Sequence, residues 1–465
     1  MKRVVTTAGR IAGVARRTGK QAFHWLHRLR PAAFQSLLAA AALVSATAAT
    51  GWFSASGAAE PTAKTATWPQ WRGPQRNGLI VGQPTWPNQI NESSLVKSWS
   101  MPLAPSYSGP IVSEDQVFVT ETKDKKVEIV RALDRQTGKQ NWEVSWEGAI
   151  SVPFFAKANG DWIRATPAYD GQTLYVAGIK DLLVAIDAKS GSIKWKIDFP
   201  TEMKASIPTF GFVSSPLIVG DSLFVQAGGC CAKVDKASGK VIWQSLKDGG
   251  GMMGSAFSSP YLATIAGREQ LLVQTRERLA GVDPATGAEL WSREIPAFRG
   301  MNILTPTVFN EGIFTSSYGG KSFMIAVKNE NGKFASEEAW TNKVTGYMST
   351  PVVIDGHAYL HLQNQRFTCI NLKTGETCWT TTPFGKYWSL VANGQQILAL
   401  DERGELLLIK ADPAKFEKLD SRKISEDPTW AHLAVCGDEV FIRELNAMVA
   451  YRWKNPAGAN AQAAR

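Results

Sequence analysis

The five cysteines are the most distinctive side chains in this 465-residue sequence that could do chemistry. Cys230 and Cys231 are adjacent, at the turn between two predicted strands. Neighbouring strand residues point to opposite sides, which favours two separately packed thiols. The alternative is a vicinal disulfide, which an oxidising compartment would permit. Cys369 and Cys378 flank one predicted hairpin, where direct cross-strand pairing would allow a structural disulfide. The alternative is buried free thiols, and Cys436 is left unpaired in either case.

Patterns for other kinds of catalysis are weak. His357, His361 and His432 follow the N-terminal segment without the spacing of a metal-ligand set, so we predict no metal site. The glycine run at 249–251 does not join a strand to a helix, as a phosphate-binding loop would. The sequence contains no Gly-x-Ser-x-Gly nucleophile elbow and no Cys-x-x-Cys-His haem-attachment motif. We therefore assign no catalytic residue.

One short unit recurs along the chain, and VAIDAKSGSIKW (residues 184–195) represents it. Asp187 and Ser190 can hydrogen-bond within a tight turn, Gly191 supplies the positive φ that the turn needs, and Trp195 offers a large apolar surface to a neighbouring element. The same Asp/Asn, Gly and Trp spacing recurs at 134–142, 235–243, 283–291 and 371–379. Short strands repeating at this interval are typical of β-propeller blades.

The beginnings of the repeats give the number of blades. Six repeats open with a small residue followed by Pro, just before an apolar strand; these prolines are Pro110, Pro167, Pro216, Pro260, Pro306 and Pro351. Two degenerate copies begin near Ser389 and His432. We therefore predict an all-β, eight-bladed propeller of four-stranded antiparallel blades. The spare strand at 95–99 is expected to lie beside the last repeat and close the ring, which removes an exposed sheet edge.

The N-terminal segment carries most of the net positive charge. Residues 1–59 contain eight Lys/Arg and no Asp/Glu, whereas the rest of the chain has 43 basic and 41 acidic residues. The basic stretch precedes a weakly apolar run at 34–53, which predicts a signal peptide cleaved after Ala48 or Ala58, or an uncleaved inner-membrane anchor. Either alternative places the body outside the cytoplasm, periplasmic or secreted.

The expected domains follow from this segment and the repeats. Residues 60–94 are a linker and an irregular Trp/Pro-rich lead-in, 95–454 are the propeller, and 455–465 are a disordered tail. The nearly neutral body does not support nucleic-acid binding. We expect a monomeric propeller that contacts a membrane only through its N-terminal segment.

Residues just before each strand-opening position should line the mouth of the central funnel. Aromatic side chains with a few arginines there predict a ligand- or partner-binding rim, and the alternative is that they only pack loops together. The candidate rim residues are Tyr107, Trp162, Arg164, Phe212, Phe257, Arg299, Asn302, Tyr347, Trp388 and His432.

The repeat Ala-x-Asp-x-x-Thr/Ser-Gly-x-x-x-Trp resembles that of the PQQ-like β-propeller superfamily over 68–453. The opening WPQWRGP (68–74) looks most like secreted BamB-like proteins. This resemblance implies a non-catalytic scaffold without a cofactor, which engages envelope proteins or a small ligand at the funnel face. The alternative is a quinoprotein oxidoreductase, or a degenerate relative, that holds pyrroloquinoline quinone (PQQ) and calcium, with Cys230 and Cys231 bridged against the quinone. No motif here matches that branch's calcium ligands or catalytic Asp.

Overall fold

The computed structural model describes residues 66–454 apart from Ser255. The predicted signal segment and tail lie outside the described residues. Eight sheets, each with four antiparallel strands, form the blades of a propeller, as predicted. In the described range, no helix is long and apolar enough to cross a membrane.

Two strands precede the first blade, β1 (Leu79–Ile80) and β2 (Leu95–Pro102). The first four blades follow in chain order and consist of β3 (Ile111–Val112), β4 (Gln116–Lys123), β5 (Val127–Asp134) and β6 (Gln140–Glu147); β7 (Ala168–Tyr169), β8 (Thr173–Gly178), β9 (Leu182–Asp187) and β10 (Ile193–Asp198); β11 (Leu217–Val219), β12 (Ser222–Ala227), β13 (Cys230–Asp235) and β14 (Val241–Ser245); and β15 (Tyr261–Ile265), β16 (Arg268–Gln274), β17 (Arg278–Val282) and β18 (Glu289–Glu294).

The last four blades repeat this order. They are β19 (Thr307–Phe309), β20 (Gly312–Ser316), β21 (Ser322–Glu330) and β22 (Lys333–Asn342); β23 (Val352–Ile354), β24 (His357–His361), β25 (Arg366–Asn371) and β26 (Thr377–Pro383); β27 (Trp388–Asn393), β28 (Gln396–Asp401), β29 (Glu405–Lys410) and β30 (Glu417–Lys423); and β31 (Ala434–Cys436), β32 (Glu439–Arg443) and β33 (Ala447–Trp453). Within the described residues, short helices occur only in connections, at α1 (Phe199–Met203), α2 (Gly251–Gly254) and the 3-10 turns Phe154–Asn159 and Phe298–Gly300.

The N-terminal strand β2 completes the eighth blade and closes the ring. It pairs antiparallel with β33 from Leu95 opposite Trp453 to Pro102 opposite Ala447. This confirms the predicted closure. The strand β1 makes an addition that the sequence did not suggest, because it pairs in parallel with β27, the innermost strand of the seventh blade.

The repeated Gly and Trp form a latch between neighbouring blades. Trp142 of the first blade covers Gly191 of the second, where a Cβ would lie 2.8 Å from the indole ring. The Trp142 Nε1–H also donates to the carbonyl of Ala188, at 3.0 Å. Equivalent Trp–Gly contacts join Trp99 to Gly138, Trp195 to Gly239, Trp243 to Gly287 and Trp340 to Gly375. The spacing therefore encodes contact between blades as well as a turn.

The fifth blade explains the gap in the sequence repeat. Its outer strands β21 and β22 are extended and meet at Asn331-Gly332, so the usual turn motif is missing. Trp340 nevertheless keeps the latch, because its Nε1–H donates to the carbonyl of Leu372 at 3.0 Å.

Candidate functional site

A cavity of about 650 Å³ opens at the face where the connections between blades meet the central axis. Every connection between successive blades contributes to its lining, and Arg276 reaches it from the turn between β16 and β17. This volume lies within the range of pockets that hold drug-sized molecules. We refer to it as the funnel cavity.

Trp71 belongs to residues 68–80, which we call the plug segment, and we call its part of the cavity lining the floor. At one end, Trp68 pairs with Val112 of the first blade, and the Tyr169 N–H of the second donates to the Pro69 carbonyl at 2.7 Å. At the other end, β1 pairs with the seventh blade. The segment therefore contacts the first, second and seventh blades, and Trp71 lines the cavity.

Two buried arginines hold the plug segment in place. The Arg72 guanidinium donates to the carbonyls of Thr350 and Pro351, at 2.5 and 2.6 Å, in the sixth blade. The Arg76 guanidinium donates to the carbonyls of Ser215 and Pro216 in the third blade, at 3.1 and 2.7 Å. Both cations lie 5.6 Å from the Trp71 ring centroid. These bonds tie the segment to two blades that lie three positions apart in the eight-bladed ring.

Neither arginine has a carboxylate partner among the described residues. Burial lowers the pKa of Arg72 to about 10 and that of Arg76 to about 9. Both values are above 7, so two positive charges are retained at neutral pH beside Trp71, which lines the cavity.

An arc of hydroxyl groups lines the cavity from the second to the sixth blade. The backbone N–H of Thr166 donates to Ser215 Oγ, that of Ser215 to Ser259 Oγ, and the series continues through Thr305 to Thr350, at 2.9–3.2 Å. These are the small residues before the strand-opening prolines. All five line the cavity, and within the described chain none of their hydroxyls donates to another group.

The walls are mostly aromatic. Trp430 stacks between Tyr107 and Tyr387, with ring centroids 5.5 and 5.8 Å apart. Across the cavity, Phe257 lies 4.8 Å beneath the guanidinium of Arg276. Exposed apolar side chains extend this surface at the mouth, where Phe155, Met252 and Phe298 are 56, 45 and 53% exposed. Apolar residues so exposed and so close together are typical of binding surfaces.

Three arginines, Arg164, Arg276 and Arg299, line the cavity and make it positively charged. Burial lowers the pKa of Arg164 to about 10 and also lowers that of Arg276, and both are held by backbone carbonyls. Arg299 is exposed, and its guanidinium lies 5.1 Å from the Phe298 ring centroid. The described lining contains no Asp, Glu or Lys, so the cavity is cationic.

The structure places six of the ten candidate rim residues in the cavity lining: Tyr107, Arg164, Phe257, Arg299, Tyr347 and His432. Trp162 lies behind the wall, in an edge contact with Tyr107 at 5.4 Å. The remaining three, Phe212, Asn302 and Trp388, are buried away from the cavity.

For these three buried candidates the rim prediction was wrong, because a residue one position away lines the cavity instead. Tyr387 lines the cavity while Trp388 turns into the core between the sixth and seventh blades, where its Nε1–H donates to Asp401 Oδ2 at 3.1 Å. Phe210 and Val213 line the cavity instead of Phe212. Because successive extended residues point to opposite sides, this small offset exchanges a cavity residue for a core residue.

Asn302 shows the same offset, because Met301 and Ile303 face the cavity on either side of it. Its amide donates to the carbonyls of Arg276 and Ile295, at 3.0 and 2.8 Å, and so supports the wall from behind. Sequence reasoning also missed Trp71, since the plug segment has no repeat pattern, and Arg276, which lies on the turn between β16 and β17 and not before a strand opening.

Cys230 and Cys231 do not face the funnel cavity. All five cysteines are free thiols in the structure. Cys230 packs in the core between the second and third blades, and Cys231 in the core between the third and fourth. Burial raises the pKa of the Cys230 thiol to about 12. The pair therefore has the geometry of two separately packed side chains, and the vicinal disulfide is not formed.

The expected pairing of Cys369 with Cys378 is corrected by a β-bulge. Cys369 lies opposite Trp379, and the register shifts before Ile370 pairs with Thr377, which leaves Cys378 as the extra residue. The bulge arises at the turn of the hairpin, where the repeat sequence adds a residue. The two thiols remain in contact, and Cys378 is exposed while Cys369 is buried.

The cavity lining offers no group that could exchange a proton easily at neutral pH. Burial lowers the pKa of His432 to about 3 and raises that of Tyr107 and Tyr387 to about 12. Elsewhere, burial lowers the pKa of His361 to about 4. The described residues contain no cluster of three or more His, Cys, Asp or Glu that could hold a metal ion.

The residues present do not fit a PQQ–calcium centre. Calcium takes oxygen ligands, mainly carboxylates and carbonyls, and the described lining has no carboxylate. The adjacent cysteines lie in interblade cores, so they are not placed to contact a quinone in the cavity.

Comparison with known proteins agrees with this architecture. Residues 125–381, more than half of the chain, match the family model described as outer membrane protein assembly factor BamB. The chain belongs to this family of PQQ-like propellers. The sequence is 23% identical to the BamB of Moranella endobia (strain PCIT) over 390 residues, covering 78% of this chain and 91% of that protein.

Two further proteins are similar to this chain. The BamB of Yersinia pestis is 24% identical over 261 residues, which cover 53% of this chain and 63% of that protein. The crystal structure of BamB from Moraxella catarrhalis is 17% identical, with a TM-score of 0.56 over 78% of this chain and 98% of that one. The structural likeness supports the shared fold.

Proposed function

We propose that this chain is a non-catalytic binding protein of the cell envelope, and that the funnel cavity and its apolar mouth are its binding site. The observation that carries this proposal is the cavity itself. It is large, aromatic and cationic, but its titratable side chains have pKa values far from 7. A general acid or base works best with a pKa near the operating pH. Recognition is therefore better supported than turnover.

The envelope location and the kind of partner rest on two supports. The N-terminal sequence has the charge and hydropathy of an export segment. The relatives are described as outer membrane protein assembly factors. We propose that the partner is an envelope protein that contacts the mouth around Phe155, Met252 and Phe298. The absence of fitting ligands for calcium argues for a role without PQQ and calcium.

Site-specific photo-crosslinking tests this proposal. We expect a photoreactive phenylalanine analogue at Phe298 to trap a discrete envelope polypeptide in intact cells. The matched control is the same analogue at Ile242, which is 51% exposed against 53% for Phe298 but lies on β14 in the third blade. A crosslink from position 298 alone supports the proposal. Equal crosslinking from both positions, or none from 298, would count against it.

A further inference from the structure

We propose that the funnel cavity binds a small organic anion with a flat apolar body. This inference rests on the proposed function, since it names the chemistry of a ligand for the same cavity. The argument comes from charge, from hydrogen-bond donors and from shape.

The charge in the cavity is unbalanced. Arg164, Arg276 and Arg299 line it, and the described lining has no acidic side chain. Within the described chain, Arg276 is buried, makes no ion pair and donates to the carbonyls of Met252, Arg299 and Gly300. Asp248 and Glu277 act on it electrostatically but do not line the cavity. A buried cation without a contacting carboxylate is costly, so a ligand that brings a negative charge has more to gain here than a neutral one.

The floor adds to this field. Arg72 and Arg76, both buried, lie beside Trp71 and are neutralised by no carboxylate among the described residues. Five hydroxyls in the same lining accept backbone N–H groups, and their own hydrogens are unused within the described chain. Unused O–H donors in a cavity that also holds arginines suit the oxygens of a carboxylate, sulfonate or phosphate.

The walls define the rest of the ligand. An inorganic anion would occupy only a small part of 650 Å³ and would leave the Tyr107–Trp430–Tyr387 stack uncovered. Flat rings pack well against such a stack and bury apolar area. A cationic ligand of the same shape would be repelled by the arginines.

The test uses a pair of probes that differ by one anionic group. 1-Anilinonaphthalene-8-sulfonate and N-phenyl-1-naphthylamine share the same rings, and only the first carries a sulfonate. We expect the purified protein to bind the sulfonate at one site, with a Kd about tenfold lower than for the neutral probe. Raising the salt concentration should weaken binding of the sulfonate selectively.

Arg299→Gln is the first variant, because the Arg299 side chain is exposed and makes no ion pair in the described structure. We expect about fivefold weaker sulfonate binding, unchanged binding of the neutral probe, and partial rescue by Arg299→Lys. Arg278→Gln, which removes a partly exposed arginine paired with Glu289, is the control and should bind like the wild type. Circular dichroism establishes that each variant is folded.

The outcomes separate this inference from the proposed function. Equal affinity for both probes, or no effect of Arg299→Gln, would overturn the anion inference while leaving an apolar binding cavity. Failure of both probes to bind would also overturn it. The crosslinking from position 298 then still decides whether the mouth engages a partner.

Discussion

Replacing Arg72 with Ala is expected to lower the free energy of unfolding by about 3 kcal/mol. The substitution removes the buried Arg72 guanidinium, which donates to the carbonyls of Thr350, Pro351 and Asn77. Each buried acceptor left without a donor costs about 1–3 kcal/mol, and loss of the desolvated charge offsets part of this sum. Chemical denaturation followed by tryptophan fluorescence measures the change.

Arg366→Ala provides the matched control for this experiment. Arg366 also donates from its guanidinium to a backbone carbonyl, but to that of Thr381 alone, and the side chain is only half-buried. We expect a loss below about 1 kcal/mol. In the Arg72 variant, hydrogen exchange should also quicken selectively in the plug segment. Equal stability of the two variants would show that the plug segment is not held by Arg72.

Gly191→Ala is expected to destabilise the propeller by about 3 kcal/mol. Gly191 has φ = 76°, where an L side chain is strained, and its Cβ would lie 2.8 Å from Trp142. The added methyl group must displace the indole ring that latches the first blade to the second. The resulting loss of stability can be measured by denaturant unfolding.

Gly171→Ala separates the two causes. Gly171 also has a positive φ, 99°, but a Cβ there would meet no atom within 4 Å. We expect it to cost only the backbone strain, about 1 kcal/mol. If both alanine variants lowered the free energy of unfolding equally, the Trp142 contact would not contribute to stability and the latch would be refuted.

The sequence predicted the fold because the blades repeat. Five copies of a turn with Gly and Trp at constant spacing define the same hairpin and the same latch, so each copy supports the others. Trp340 shows the limit of this reasoning, since it keeps the latch in a blade whose turn motif is missing. Its role depends on a neighbouring blade, which spacing alone does not identify.

The site was less predictable, because it is made by non-repeating connections. Counting back from the strand openings located the correct face, yet placed Phe212, Asn302 and Trp388 one position away from residues that line the cavity. The plug segment has no periodicity, so Arg72 and Arg76 could not be assigned partners 139–279 residues away. Two arginines beside a tryptophan in an irregular stretch were the available signal.

Titration of the purified protein with PQQ, with and without Ca²⁺, tests most directly whether this propeller binds rather than catalyses. Quinone absorbance reports binding, and an artificial electron acceptor reports turnover. We predict that any PQQ binding is independent of calcium, is unchanged by Cys230→Ser and gives no reduction of the acceptor. Saturable binding that requires calcium, weakens in Cys230→Ser and supports acceptor reduction would contradict the account and identify an oxidoreductase.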